Sequence, residues 1–344
     1  KNLENLKNLS NILPVEVREE FEAEINAVMQ EFEQESVNVS VDTEKGTVAI
    51  DRAIKAEADG WTAVSPGVFM YIKELDTEKL NHAELQLPFG SIDVQGSSSK
   101  LPKLTIQASG QVSTKAELRS KINTTYKTES GNTIIQLVPT ERDPQNTNIQ
   151  LHATLWVPSE TELDMRTKGG HISAENIKAT QKYDTRGGHI TLKKISGKID
   201  AETGGGHISL ADAEGEIRLQ SLGGNIRTDN SSGNLFIKTS GGNLKAFNFN
   251  GSVEASTKGG NIELKVSPNT GDIQASTGAG AITIAIPRSS DLQVDLSGSS
   301  VDIDSGLDFK GSKSSGSAEG TIGNGGTTLT AKTGYGKVIL KPVN

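Results

Sequence analysis

Hydrophobic and polar positions recur in a fixed frame between Thr167 and Leu264. Each unit contains a Gly-Gly pair, then one polar residue, then one large aliphatic residue, and successive pairs are 18 residues apart without insertion. The pairs begin at Gly169, Gly187, Gly205, Gly223, Gly241 and Gly259. Self-similarity at a fixed short period is typical of a solenoid, in which each repeat packs on its neighbours.

A second signal lies half a period away, where a glycine precedes one polar and one aliphatic residue, as in Gly197-Lys-Ile199. Side chains alternate along a strand, so Ile172 and Ala174 are expected to point inward while His171 and Ser173 point outward. Each coil then has two short strands and two glycine turns, and stacked coils place parallel strands about 4.8 Å apart. The predicted fold is mainly β, a parallel β-solenoid with about 18 residues per coil.

A threonine or serine stands two positions before each Gly-Gly pair, as Thr185 does before Gly187. Its hydroxyl can satisfy backbone groups at the corner of the coil. The alternative, an exposed ice-binding array, needs two outward threonines per coil, and only one recurs, at an inward position. A structural role for this column is therefore the prediction.

Residues 1–80 follow a different pattern. A 3.6-residue period among glutamates predicts an N-terminal amphipathic helix. Its apolar stripe contains Val17, Phe21, Ile25, Val28 and Phe32. We expect this helix to cover an apolar surface or a solenoid end, with an oligomerising helix or a stalk toward a membrane as alternatives. Short alternating runs over residues 36–80 complete a predicted small α+β cap.

The β-solenoid domain is predicted to span residues 81–344, with its regular coils at 163–286. Longer alternating runs over 82–160 are interpreted as the first, less regular turns. The phrase Leu155-Trp-Val-Pro158 returns 129 residues later as Ile284-Ala-Ile-Pro287.

The C-terminal region departs from the regular repeat. Residues 305–326 are rich in glycine and serine, which predicts a mobile excursion. The strand–turn–strand pattern from Leu329 to Leu340 is expected to close the body.

Composition and charge exclude several classes of ligand and site. The 344 residues carry a formal net charge of −8, which argues against nucleic acid and against electrostatic docking on anionic lipid. There is no cysteine, hence no disulfide framework and no thiolate metal site. No run approaches the roughly 18 apolar residues of a membrane span. Because the chain starts at Lys1 rather than Met, we expect a signal peptide, anchor or larger region upstream.

One stretch carries a family resemblance. A strand ending in Trp156-Val-Pro158, a polar linker, then Leu-Asp-Met-Arg-Thr-Lys-Gly-Gly-His-Ile and repeated Thr-x-Gly-Gly-x-Ile units resemble the bacterial putative-adhesin β-solenoid family. The resemblance covers about residues 82–342. It implies a secreted or envelope-anchored, extracytoplasmic interaction module, and its motifs are structural, so no catalytic residue is carried over.

The sequence lacks the signatures of common catalytic sites. There is no Gly-x-Ser-x-Gly elbow, no His-Glu-x-x-His and no phosphate loop, so we predict a protein that is not an enzyme and needs no cofactor. Calcium-binding rolls also use 18-residue coils, but they need an aspartate where this chain has Ala174, Leu192, Leu210 and Thr228.

Three histidines form the one candidate ligand-binding constellation. His171, His189 and His207 occupy the same slot of consecutive coils and would stack about 4.8 Å apart. Asparagines fill the slot in the next three coils, which favours a structural polar ladder. Metal binding by these imidazoles is the alternative.

Function is specified less closely than fold. The leading hypothesis is a non-enzymatic extracytoplasmic binding or scaffold module of the bacterial cell envelope, a monomer or weak oligomer that contacts a surface polymer or a protein partner. The alternatives are the ectodomain of an envelope-stress sensory or regulatory protein and a polysaccharide-processing β-helix enzyme.

Overall fold

The computed structural model describes residues 36–42, 47–53, 60–75, 80–98, 101–140, 148–268 and 270–343. Contacts divide the chain into two units, Lys1–Thr62 and Ala63–Asn344. The predicted amphipathic helix lies outside the described residues. The predicted division into a cap region over 1–80 and a solenoid domain over 81–344 therefore stays a prediction.

The described strands alternate with tight turns along the whole chain. The first unit contains the antiparallel pair β1 (Ser36–Asp42) and β2 (Thr47–Ala53). The next strands are β3 (Trp61–Ser65), β4 (Val68–Glu74), β5 (His82–Leu87), β6 (Ser91–Gly96), β7 (Lys103–Gly110), β8 (Ile122–Glu129), β9 (Asn132–Pro139) and β10 (Ile149–Val157). Helix α1 (Lys115–Lys121) precedes β8 and is capped by the Thr114 side chain.

The repeat region and the C-terminal region supply the remaining strands. The repeat region contains β11 (Glu162–Thr167), β12 (Ile172–Lys178), β13 (Gln181–Thr185), β14 (Ile190–Thr203), β15 (Ile208–Ser221), β16 (Ile226–Asp229), β17 (Ser232–Thr239), β18 (Leu244–Thr257), β19 (Ile262–Val266), β20 (Ile273–Thr277) and β21 (Ile282–Ile286). The last strands are β22 (Leu292–Ser297), β23 (Ser300–Ile303), β24 (Phe309–Lys313), β25 (Ser317–Ile322), β26 (Thr327–Thr333) and β27 (Lys337–Pro342).

Parallel stacking arranges the strands of the repeat region into two sheets, joined by the continuous strands β14, β15 and β18, which confirms the β-solenoid prediction. The first sheet contains the strand before each Gly-Gly corner, and the second sheet contains the strand after it. In the second sheet Ile190 is in register with Ile172 and Ile208. The 14-residue strands β14, β15 and β18 contribute their beginnings to the second sheet and their ends to the first.

The core is a set of aliphatic columns between the two sheets. The predicted inward column is confirmed, because each of its members is at most 1% exposed: Ile172, Ile190, Ile208, Ile226, Leu244 and Ile262. Burying one such side chain contributes about 1.5–3 kcal/mol. The 18-residue period thus yields a narrow core in which every coil depends on its two neighbours.

The corner threonines have the predicted structural role. Thr185 is buried, and its hydroxyl donates to Gly170 O of the preceding coil at 2.8 Å and accepts from Gly188 N at 3.3 Å. Thr203, Ser221, Thr239 and Thr257 repeat both bonds.

The spatial order of the coils differs from their chain order at both ends. Strand β5 pairs with β9 on one side and β11 on the other, and β26 pairs with both β20 and β22. The expectation that Leu329–Leu340 closes the body is therefore wrong, because this last coil lies one coil position inside. The two recurring X-Pro phrases lie at the ends of β10 and β21. After each of them the chain skips one coil position, which another segment of the chain fills.

The predicted mobile excursion over 305–326 is also wrong. Strand β25 pairs antiparallel with both β22 and β24, which satisfies the edge of β22. A Cβ at Gly311 would approach Glu319 O to 2.2 Å. Gly311 therefore permits the close approach of β24 and β25, and its presence does not indicate mobility.

A buried hydroxyl without a partner offers a direct test of the core. Thr228 is 1% exposed, lies in register with Leu210 and Ala246, and its Oγ1 has no hydrogen-bond partner among the described residues. We expect Thr228→Val to stabilise the fold by about 1 kcal/mol, because it removes an unsatisfied polar atom at nearly constant volume. Guanidinium unfolding followed by circular dichroism measures the change.

Thr239→Val is the matched control for this substitution. The Thr239 hydroxyl donates to Gly224 O at 2.9 Å and accepts from Gly242 N at 3.3 Å, so its removal should destabilise by about 1–2 kcal/mol. A loss of stability in Thr228→Val would show that its hydroxyl is satisfied.

Candidate functional site

The outward slot after each Gly-Gly pair contains a continuous side-chain ladder. Each side chain accepts a hydrogen bond from the backbone N–H of the same slot one coil further on. His171 Nδ1 accepts from His189 N at 2.9 Å, and His189 Nδ1 accepts from His207 N at 2.8 Å. The amide oxygens of Asn225, Asn243 and Asn261 continue the pattern at 2.7–2.8 Å.

The three imidazoles of the ladder stack on one another. Ring centroids are 4.9 Å apart between His171 and His189 and 5.0 Å apart between His189 and His207, with interplanar angles of 11° and 2°. Because Nδ1 accepts a backbone hydrogen bond in each case, the neutral ring carries its proton on Nε2. Asparagine replaces histidine in later coils because its side-chain oxygen can accept the same bond.

Metal binding by His171, His189 and His207 stays a prediction. Only the Nε2 atoms remain for a metal, since every Nδ1 is engaged with the backbone. Within the part of the chain that the structure describes, no group of three or more His, Cys, Asp or Glu side chains is arranged to hold a metal ion.

The surroundings of the central imidazole favour its neutral form. Partial desolvation, followed by the neighbouring charges of His171 and His207, lowers the pKa of His189 from its usual 6.5. With a lower pKa in the folded state, the unfolded chain binds more protons below about pH 6.5. Stability should therefore fall on acidification through this range.

Replacing all three histidines with asparagine should flatten this pH dependence. Thermal melting from pH 7.5 to pH 5 measures the effect, and His82→Asn, outside the ladder, serves as control. An unchanged pH slope in the triple variant would contradict the prediction. Calorimetry with zinc tests the metal hypothesis on the same proteins, because equal heats from parent and triple variant would remove it.

A shallow groove of about 670 Å³ crosses the outward face of the first sheet. Its central row runs in register over five strands and contains Arg218, Phe236, Glu254, Gln274 and Thr330. The Arg218 guanidinium lies over the Phe236 ring, 4.6 Å from its centroid. We name the groove that contains this row the face groove.

The edge of the face groove is fixed by an aspartate. Asp272 Oδ1 accepts from Thr328 N at 2.8 Å and from Thr328 Oγ1 at 2.9 Å, which ties the inserted coil to its neighbour. The backbone hydrogen bond from Thr328, and then its hydroxyl, lower the pKa of Asp272. This carboxylate remains ionised at mildly acidic pH.

Sequence reasoning found some of these residues and missed others. The histidine ladder was predicted from the sequence, but the row of the face groove, including Phe236, was not. The signal for Phe236 is an aromatic residue at an outward strand position between Leu235 and Ile237, which are both buried.

A second missed feature is a left-handed column. The backbone has positive φ at Asn176, Lys194, Asp212, Asn230 and Asn248, again 18 residues apart. Asparagine and aspartate tolerate this conformation, which explains four of the five residues.

The corner ladder, the threonine column and the coil period define a parallel β-solenoid. The chain belongs to the Toastrack DUF4097 family, whose model matches residues 11–341. This match confirms the family resemblance stated from the sequence.

Comparison with solved structures found several similar chains. A putative adhesin from Bacteroides fragilis has 14% identity and a TM-score of 0.39, with 80% of this chain and 97% of that chain covered. A putative lipid binding protein from Parabacteroides distasonis has 11% identity and a TM-score of 0.33, with coverages of 80% and 97%. A putative cell adhesion protein from Clostridium sporogenes has 11% identity and a TM-score of 0.22, with coverages of 80% and 99%.

Comparison with curated proteins found no match. Among the described residues, no helix combines the length and hydrophobicity needed to cross a membrane.

Proposed function

We propose that the chain is a non-enzymatic binding or scaffold module of the bacterial cell envelope that acts outside the cytoplasm. The observation that carries this proposal is the face groove. Its five aligned side chains stand about 4.8 Å apart, so they offer a cation, an aromatic ring, a carboxylate, an amide and a hydroxyl along a line of roughly 19 Å. Such a row suits an extended polymer.

Rigidity supports the same function. The backbone under the face groove is held by parallel pairing on both sides, and the side chains beneath it are buried, as Leu235, Ile237 and Ala255 are. A partner therefore binds a preorganised surface, and the protein loses little conformational entropy on binding.

Co-sedimentation of the full chain with isolated bacterial cell-wall sacculi tests the proposal. We expect the parent to sediment with sacculi and Phe236→Ser to reduce the bound fraction at least about fivefold, because this change removes the aromatic anchor of the row. Phe247→Ser is the matched control, since Phe247 also lies against an arginine, Arg227, but on the second sheet.

The outcomes separate the hypotheses. Absence of sedimentation by the parent, or equal losses in both variants, would contradict the proposed surface. Release of soluble wall fragments by the parent would identify an enzyme instead.

A further inference from the structure

A cleft of about 1350 Å³ lies at the Gly-Gly corner, and the face groove does not include it. Three segments line the cleft: the turn from β5 to β6, the facing ends of β7 and β10, and two successive corners of the solenoid. We name it the corner cleft.

The charge of the corner cleft is opposite to that of the chain. The protein carries a net charge of −8, yet no aspartate or glutamate is among the described residues that line the cleft. Lys168 and Arg186 line it from the same slot of consecutive coils, which places their backbones about 4.8 Å apart. Both are exposed, and neither forms an ion pair with a described residue.

Amide side chains also line the cleft, together with Ser91, Ser109 and His152. Gln107, Gln150, Gln111 and Asn148 line the cleft and are exposed, and Asn148 Nδ2 donates to Gln111 Oε1 at 3.2 Å. Amides both donate and accept hydrogen bonds, as hydroxyl groups do. Ile149 and Leu151 turn their side chains into the core, at 7% and 3% exposure, so they contribute only backbone here.

The structure assigns this corner cleft to an anionic, hydroxyl-rich polymer segment, an acidic polysaccharide whose anionic groups pair with Lys168 and Arg186. This inference rests on the proposed binding function and names a ligand class for a second surface. Lys168 and Arg186 bind the anionic groups of the polymer through charge-assisted hydrogen bonds. The amide side chains form hydrogen bonds with the hydroxyl groups of the polymer that lie between its anionic groups.

One glycine permits a clean block of the cleft. Gly169 lines the cleft, and a Cβ built on it meets nothing within 4 Å. The corresponding slot of the preceding coil holds Phe89, which shows that this slot accepts a large side chain. Gly169→Trp should therefore fill the cleft without disturbing the coil. Gly205→Trp is the matched control, since Gly205 has the same open surroundings but does not line the cleft.

Calorimetry on the full chain provides the test. We expect binding of hexagalacturonate that weakens with salt, and no binding of neutral maltohexaose. Lys168→Gln combined with Arg186→Gln should weaken binding about tenfold or more, because each charged hydrogen bond contributes on that scale. Lys258→Gln, in the same slot far from the cleft, should leave the affinity unchanged, and Gly169→Trp should abolish binding where Gly205→Trp does not.

Each remaining outcome decides the question. Binding of a glycerol phosphate oligomer in place of hexagalacturonate, with the same variant pattern, supports the assignment with phosphate as the anion. Equal binding of maltohexaose or of hexaglutamate, equal losses in Lys258→Gln, or no binding of either anionic polymer would overturn it. Sacculus binding that persists and depends on Phe236 would then leave the proposed function intact, while cleft binding without sacculus binding would overturn only the role proposed for the face groove.

Discussion

Gly206→Ala is expected to destabilise the solenoid by about 3 kcal/mol or more. A Cβ at this position would lie 1.9 Å from Gly188 O and 2.4 Å from Gly188 C of the neighbouring coil. Both atoms belong to the backbone, so relief requires the coils to separate and strains the bonds of the corner. Guanidinium unfolding followed by circular dichroism measures the loss.

Gly205→Ala provides the control from the same Gly-Gly pair. No atom lies within 4 Å of a Cβ built there, and we expect a change within about 0.5 kcal/mol. Equal destabilisation by the two alanines would mean that the pair is needed for backbone conformation, and not for close approach at its second member.

Ile208→Asp is expected to cost more than about 4 kcal/mol, since it loses a buried aliphatic side chain and places a carboxyl group in the core without a partner. Ile208 is 1% exposed and lies between Ile190 and Ile226 in the inward column. The expected result is a large fall in melting temperature or loss of soluble protein.

Ser209→Asp tests whether position or chemistry causes this loss. Ser209 is the next residue, points outward and is in register with Arg227, so a carboxylate there should be tolerated. A soluble Ile208→Asp protein with the melting profile of the parent would refute the assigned inward column.

The repeat region could be predicted closely from the sequence because one period determines both neighbours of each residue. The spacing of Ile190 and Ile208 alone gives their register and their burial. The same reasoning placed His189 outward between two other imidazoles. It could not show that Nδ1 accepts a backbone N–H, because that depends on ring orientation, which spacing does not specify.

Prediction fails where the period is interrupted. Outside uninterrupted repeats, sequence neighbours are no longer spatial neighbours, so the place of β26 between β20 and β22 was missed. Glycine and serine in residues 305–326 suit both a mobile loop and two closely approaching strands, and composition alone does not distinguish them. The corner cleft was missed because Gln107, Gln150 and Lys168 come from segments far apart in the sequence.

The inserted position of the last coil has a consequence for how the protein is made. During synthesis each strand from β11 to β21 can pair with a strand that has already been made, but β22 has no parallel partner until β26 has been synthesised. A chain that ends prematurely near residue 326 would lack the coil that joins β22 and β23 to the rest, with strand edges exposed on both sides. A separate peptide of residues 327–343 would therefore be expected to restore such a truncated chain by occupying the vacant position.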